Sequence, residues 1–199
     1  MTNDIRTTTN DDTLSVARTL AAAFTDDPVM CYLSGGRALS DEMLIPFFKA
    51  FHKMHIADGH TYTTAGFEAA AVWAPPDKWK VPMSQIMRYT PTFVKLYGKR
   101  FVSNLGVLND LEKRHPKAPH YHLAFIGTAP GHQGQGYASK LIRPMVERAD
   151  MEGVGMYLES SKESNVGFYA RFGFEVTDTM THRHNGPQQW LMWREPIRG

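Results

Sequence analysis

The chain carries one cysteine, Cys31, which excludes an internal disulfide and any metal site built on thiolates. It has no apolar run near the roughly 20 residues that a helical membrane span needs. Its start, MTNDIRTTTNDD, lacks the basic-then-apolar layout of a secretory signal. Charge of either sign is not in excess: 22 Lys and Arg against 20 Asp and Glu leave a net charge of +2, which argues against a nucleic-acid partner. Internal repeats and low-complexity segments are missing as well, which excludes solenoids and long linkers. From these absences we expect a cytoplasmic protein with small or local partners and no membrane contact.

What is present suffices for a sizeable core, since 42% of the 199 residues are apolar and 12% aromatic. One domain spanning 1–199 is the simplest organisation. Residues Ile5 to Thr8 suit a short first strand. NDDTLSVARTLAAAF suits a helix capped by Asp11 or Asp12, with Val16, Leu20, Ala23 and Phe24 on one face and Pro28 helping to stop it. DEMLIPFFKAFHKMHIADG repeats the pattern, with Leu44, Phe47, Phe48, Phe51 and Met54 at helical spacing and Gly59 to end it. HTYTTAG and EAAAVWA read as an antiparallel hairpin around Gly66, ending at Pro75-Pro76.

From Lys80 to Lys113 the pattern is helical again, broken near Pro82 and Pro91. Its stripe of Met83, Ile86, Met87, Phe93, Leu96 and Tyr97 is assigned to the core, with a share in a pocket wall. The final part is the most regular: strand YHLAFIG, a loop, helix GQGYASKLIRPMVERADMEG, strand VGMYLESS, short helix SNVGFYARFG, and closing strands FEVTDTM and QQWLMWRE. That order predicts a βαβ unit followed by more of the same sheet.

The loop TAPGHQGQGYASKLI places Gly131, Gly134 and Gly136 at a helix entry, where unpaired N–H groups and the helix dipole favour an anion. A nucleotide P-loop is excluded because Tyr137 and Ala138 stand where Lys and Ser or Thr are required. A dinucleotide site fails because Ala129 to Gln133 separate the strand from Gly134, where that motif needs a tight turn. The pyrophosphate of coenzyme A fits: Gln133-Gly134-Gln135-Gly136-Tyr137-Ala138 resembles the acyl-CoA motif of the GNAT acetyltransferase superfamily, (Arg or Gln)-x-x-Gly-x-(Gly or Ala). Downstream, YLESSKESNVGFYARFGFEV resembles the continuation of that family, with Asn165 and Tyr169 in register. ARTLAAAFTDDP, AVWAPP and GHQGQGYASKLI further resemble the puromycin N-acetyltransferase-like branch.

The resemblance implies an α/β (α+β) GNAT fold: a mixed central β-sheet of about six to seven strands flanked by helices, with a helical insertion in the middle third. Residues 1–118 would form the acceptor side and 119–199 the acetyl-CoA side. It implies an N-acetyltransferase acting from acetyl-CoA on a primary amine of a small molecule, with homodimerisation left open. A peptide or protein acetyltransferase and a non-catalytic acyl-CoA sensor are the alternatives. The backbone of Phe125, Ile126, Gly127 and Thr128 would pair with the pantetheine arm. The amides of Gln133, Gly134, Gln135, Gly136, Tyr137, Ala138 and Ser139 would hold the pyrophosphate. Asn165 would contact the coenzyme, and the Tyr169 hydroxyl would serve as acid to the departing thiolate.

Glu159 is the candidate base, with a strand-end ion pair to Lys162 or Arg171 as the other reading. Asp26 and Asp27 would attract a cationic acceptor, or act as turn residues before Pro28. None of the nine histidines completes a recognised ligand spacing, so no metal is expected. His182 and His184 read as solvated loop residues.

Overall fold

Ala69–Ala74 is buried along its whole length, as a strand must be when helices cover both faces of its sheet. In the computed structural model, which describes residues 5–197, that strand lies inside one seven-stranded mixed sheet. The strands are β1 Ile5–Thr7, β2 Thr61–Thr64, β3 Ala69–Ala74, β4 His120–Thr128, β5 Gly155–Ser160, β6 Glu175–Thr181 and β7 Gln188–Arg194. Their order is β1-β2-β3-β4-β5-β7-β6; β4 and β5 run parallel and all other neighbours antiparallel. The helices are α1 Thr13–Ala23, α2 Pro28–Leu33, α3 Asp41–His55, α4 Met83–Tyr97, α5 Phe101–Arg114, α6 Tyr137–Glu152 and α7 Val166–Ala170. This is the helix-flanked mixed sheet that the sequence predicts, with the βαβ unit at β4-α6-β5. Among the described residues no helix is long and apolar enough to cross a membrane.

Alternation along β3 divides the core. Ala70 and Val72 face Val16 and Leu20 of α1 and Leu44, Phe47 and Phe48 of α3. Ala69, Ala71 and Trp73 face Leu141, Ile142, Met145 and Ala149 of α6. Each fully buried large aliphatic or aromatic side chain contributes roughly 1.5–3 kcal/mol. Glycine at 127 follows from this packing, because a Cβ there would lie 2.7 Å from the Ala23 Cβ. Near the C-terminus, Arg194 spans from β7 to α6, its guanidinium 2.7 and 2.8 Å from the two Asp150 oxygens.

Several expectations need correction. Asp12 occupies the N-cap position of α1, but its side chain does not cap it: the carboxylate turns back to Arg6, 2.7 Å at each oxygen, and to the Thr9 amide, closing a capping box on a 3-10 turn at Asn10–Asp12. Asp11 is exposed. Pro28 does not merely stop the first helix but opens α2, with Asp27 as its N-cap. Pro91 sits within α4, and the break falls at Gly98, whose φ is 56°.

In the stripe from Met83 to Tyr97, Phe93, Leu96 and Tyr97 pack on the core, while Met83 and Met87 are 68% and 69% exposed. The sequence periodicity sets the stripe but not which edge of it meets the α3 side. His182 is not solvated: it is buried, its Nε2 2.8 Å from Gln189 Oε1 and its ring 5.2 Å from that of Tyr32.

Candidate active site

β4 and β5 pair only as far as Leu123 and Leu158. Beyond that row β4 continues to Thr128 against β3, and β5 continues to Ser160 against β7. The two parallel strands therefore part, and among the described residues no strand pairs with the β5-facing backbone edge of residues 124–128. A bulge starts the split: Phe125 lies opposite Val72 and Leu123 opposite Trp73, so Ala124 is the extra residue. Such a residue bends its strand and re-aims the residues beyond it.

The glycine loop stands at the end of β4. Residues Gly131 to Gly136 are all exposed, and Gly131, Gly134 and Gly136 have φ of 85°, 76° and 80°. A Cβ at any of the three would meet nothing within 4 Å, so backbone conformation demands glycine here and the space in front is open. The N-cap of α6 is Gly136 itself, with no side chain to satisfy the first-turn amides. Those amides, on a helix of 16 residues, present the positive end of its dipole. Uncapped amides beside an unpaired strand edge fit a pyrophosphate carried on an amide-bearing arm. Tyr137, Ala138 and Ser139 form the first turn and are half-buried, and the Gln135 side chain donates back to the Gly131 carbonyl at 3.2 Å.

Asn165 and Tyr169 end up in different environments. Asn165 is exposed in a 3-10 turn, Glu163–Asn165, whereas Tyr169 in α7 is buried against Phe168 and Phe174. Among the described residues nothing hydrogen-bonds to the Tyr169 hydroxyl. Burial first, and the Asp27 carboxylate second, push its pKa upward, so it holds its proton at neutral pH.

Asp26 and Asp27 tie the α1–α2 loop across the end of β5. Asp26 is exposed and takes the Lys162 ammonium at 2.9 Å on both oxygens. Asp27 is buried; it accepts from the Met30 amide at 2.8 Å and from the Ser161 hydroxyl. Desolvation outweighs those bonds and raises the Asp27 pKa.

Glu159, the first residue of β5 past the last paired row, contacts neither Lys162 nor Arg171 in the way the ion-pair reading expected. Its Oε2 lies 2.8 Å from His122 Nε2 on β4, and its Oε1 lies 3.8 Å from His115 Nδ1. Burial alone would raise the Glu159 pKa, but electrostatic attraction to His122 and His115 outweighs it and holds the group well below the usual carboxylate range. A carboxylate only accepts, so His122 Nε2 carries the proton and Nδ1 is left as an acceptor. His122 and His115 were missed from sequence. Alternation puts His120 and His122 on one strand face and Tyr157 and Glu159 on another, but only the β4–β5 register shows that the faces coincide. Among the described residues no group of three or more His, Cys, Asp or Glu is arranged to hold a metal ion.

Burial drives the pKa of His55 and His120 down to about 4. Both are therefore neutral when folded and protonate in the unfolded chain below about 6.5. The unfolded state binds more protons across this window, so stability falls as pH drops from 6.5 to about 4. Urea midpoints measured across it should decline, with a shallower slope in His55→Leu; equal slopes would contradict this account.

The model of the acetyltransferase (GNAT) family matches residues 65–174, more than half of the 199. The chain belongs to the GNAT acetyltransferase family. An uncharacterized N-acetyltransferase of Schizosaccharomyces pombe is 31% identical over 203 positions, covering 93% of this chain and 80% of the relative. Among solved structures, a histone acetyltransferase HPA2 and related acetyltransferase from Corynebacterium glutamicum superposes with a TM-score of 0.71 at 22% identity, covering 98% of this GNAT chain and 97% of the other. Arylalkylamine N-acetyltransferase 2 from Aedes aegypti gives 0.70 at 12% identity, covering 97% and 98%. These two likenesses concern the fold. The split between β4 and β5 in this GNAT chain lies within the matched residues, as do the glycine loop, Glu159 and Tyr169.

Proposed function

We propose that the protein transfers an acetyl group from acetyl-CoA to a primary amine of a small molecule, by direct attack within a ternary complex. The observation that carries this reading is the His122–Glu159 pair at the start of the split. Bound acetyl-CoA would supply the thioester. The first-turn amides of α6 and those of Gln133 to Gly136 bind the pyrophosphate, and the free edge at Phe125 to Thr128 orients the pantetheine arm. His122 Nδ1 accepts a proton from the incoming amine, which as an alkylammonium has an ordinary pKa near ~10 and must lose a proton before attack. Glu159 fixes the His122 tautomer and offsets the charge the ring acquires. Tyr169 gives its hydroxyl proton to the departing thiolate.

Calorimetry with acetyl-CoA, followed by thiol release against arylalkylamines, polyamines, puromycin, amino acids and short peptides, tests the reading. Turnover with small amines is expected. Release with peptides alone would transfer the assignment to a peptide acetyltransferase, binding without release would favour an acyl-CoA sensor, and no binding would end the proposal. Gly136→Val, forced to hold φ near 80°, should weaken acetyl-CoA about 10-fold, a strain of about 1–3 kcal/mol. An unchanged Kd would remove the loop from the cofactor site.

A further inference from the structure

His122 uses one oxygen of Glu159; the other faces His115. His115 comes from the turn after α5, buried beneath the Trp79 ring with centroids 3.6 Å apart. Its tautomer is set two bonds away. His120 Nδ1 lies 2.6 Å from the Ala118 carbonyl, which only accepts, so that nitrogen carries the proton and His120 Nε2 does not. His120 Nε2, at 2.9 Å, therefore takes the Nε2–H of His115. His115 Nδ1 is left with a lone pair facing a carboxylate oxygen at 3.8 Å, two acceptors with no hydrogen between them. One added proton would turn that contact into a charge-assisted hydrogen bond.

We propose that His115 is the second proton acceptor of the site, receiving through Glu159 the equivalent of the proton that His122 takes from the amine. The transfer balances. An N–H bond of the amine breaks as His122 Nδ1–H forms; the His122 Nε2–H proton passes to Glu159 Oε2, the carboxyl turns about Cγ–Cδ, and that same Oε2–H bond breaks as His115 Nδ1–H forms. Glu159 ends as it began, His122 has exchanged one tautomer for the other, and His115 is an imidazolium paired with Glu159. The proton is then separated from the amide product by a full side chain. Low dielectric favours this arrangement, because an imidazolium at His115 pairs directly with the buried Glu159 carboxylate. The titratable groups facing His115 are Glu159 and Tyr157 of β5, His120 and His122 of β4, and Glu112 of α5. His115 acts through Glu159 and is a positioning residue.

The source of the proton rests on the acetyl-transfer reading; the open lone pair at Nδ1 does not. A 15N-histidine NMR titration of the full chain without acetyl-CoA therefore tests that lone pair by itself. We expect Nε2–H tautomers for His115 and His122, an Nδ1–H tautomer for His120, and a titration of His115 that Glu159→Gln alters. An Nδ1–H tautomer at His115, or titration indifferent to Glu159→Gln, would overturn the proposal whatever the enzyme acetylates. With an active amine in hand, His115→Gln and His115→Phe, the second keeping a ring under Trp79, should both lower kcat about 10-fold with the acetyl-CoA Kd unchanged. Full kcat in a folded His115→Phe would equally refute it.

Discussion

Glu159→Gln lowers kcat by about 100-fold or more, the scale on which a positioned base and its orienting group act. The amide keeps the volume and accepts from His122 Nε2, so the geometry survives while the charge that stabilises a protonated His122 is lost. Acetyl-CoA affinity should hold, because Glu159 touches neither the glycine loop nor the free edge of β4. The same variant has a signature in stability. In the folded chain the Glu159 carboxyl is held below its ordinary range. Its contribution is thus fully present above the unfolded value near ~4 and is lost as pH falls through the lower folded value. Acid unfolding curves of Glu159→Gln should lack that component. A variant with full kcat, or with an acid limb like that of the parent, would remove Glu159 from the catalytic pair.

Tyr169→Phe should lower kcat by about 100-fold as well, for the opposite half of the proton balance. Since nothing in the described residues bonds to the hydroxyl, its removal should leave the Phe168 and Phe174 contacts intact and the melting temperature no lower. Acetyl-CoA binding measured by calorimetry should be unaltered. Single-turnover rates are the decisive measurement, because slow product release would mask a slower chemical step. An unchanged single-turnover rate would deny Tyr169 the role of acid.

The glycine loop was legible because its requirement is local: positive φ at three positions and an uncapped helix are written in a short stretch of residues. The hairpin at Gly66 and the βαβ unit were legible for the same kind of reason, alternation and punctuation. The His122–Glu159 contact was not, since it depends on which rows of two parallel strands sit side by side, and hydrophobic patterning leaves that register open. His115 was further out of reach, arriving from a turn whose path nothing in its neighbours specifies. Asp27-Pro28 was misread for a different reason. An acid followed by proline serves equally to end one helix and to begin another, and the six residues of α2 are too few to show a period.

The Arg194–Asp150 clamp has a mechanical meaning. α6 is a rod about 24 Å long at 1.5 Å per residue, with the glycine cradle at one end and Asp150 near the other, where the Ile197 amide also donates to it at 2.7 Å. Leu141, Ile142, Met145 and Ala149 hold the rod against β3, and the clamp fixes its rotation at the far end. The closing strand of the chain therefore trims the aim of a loop that it never touches, and a truncation short of Arg194 would cast off the mooring while leaving every residue of the cradle in place.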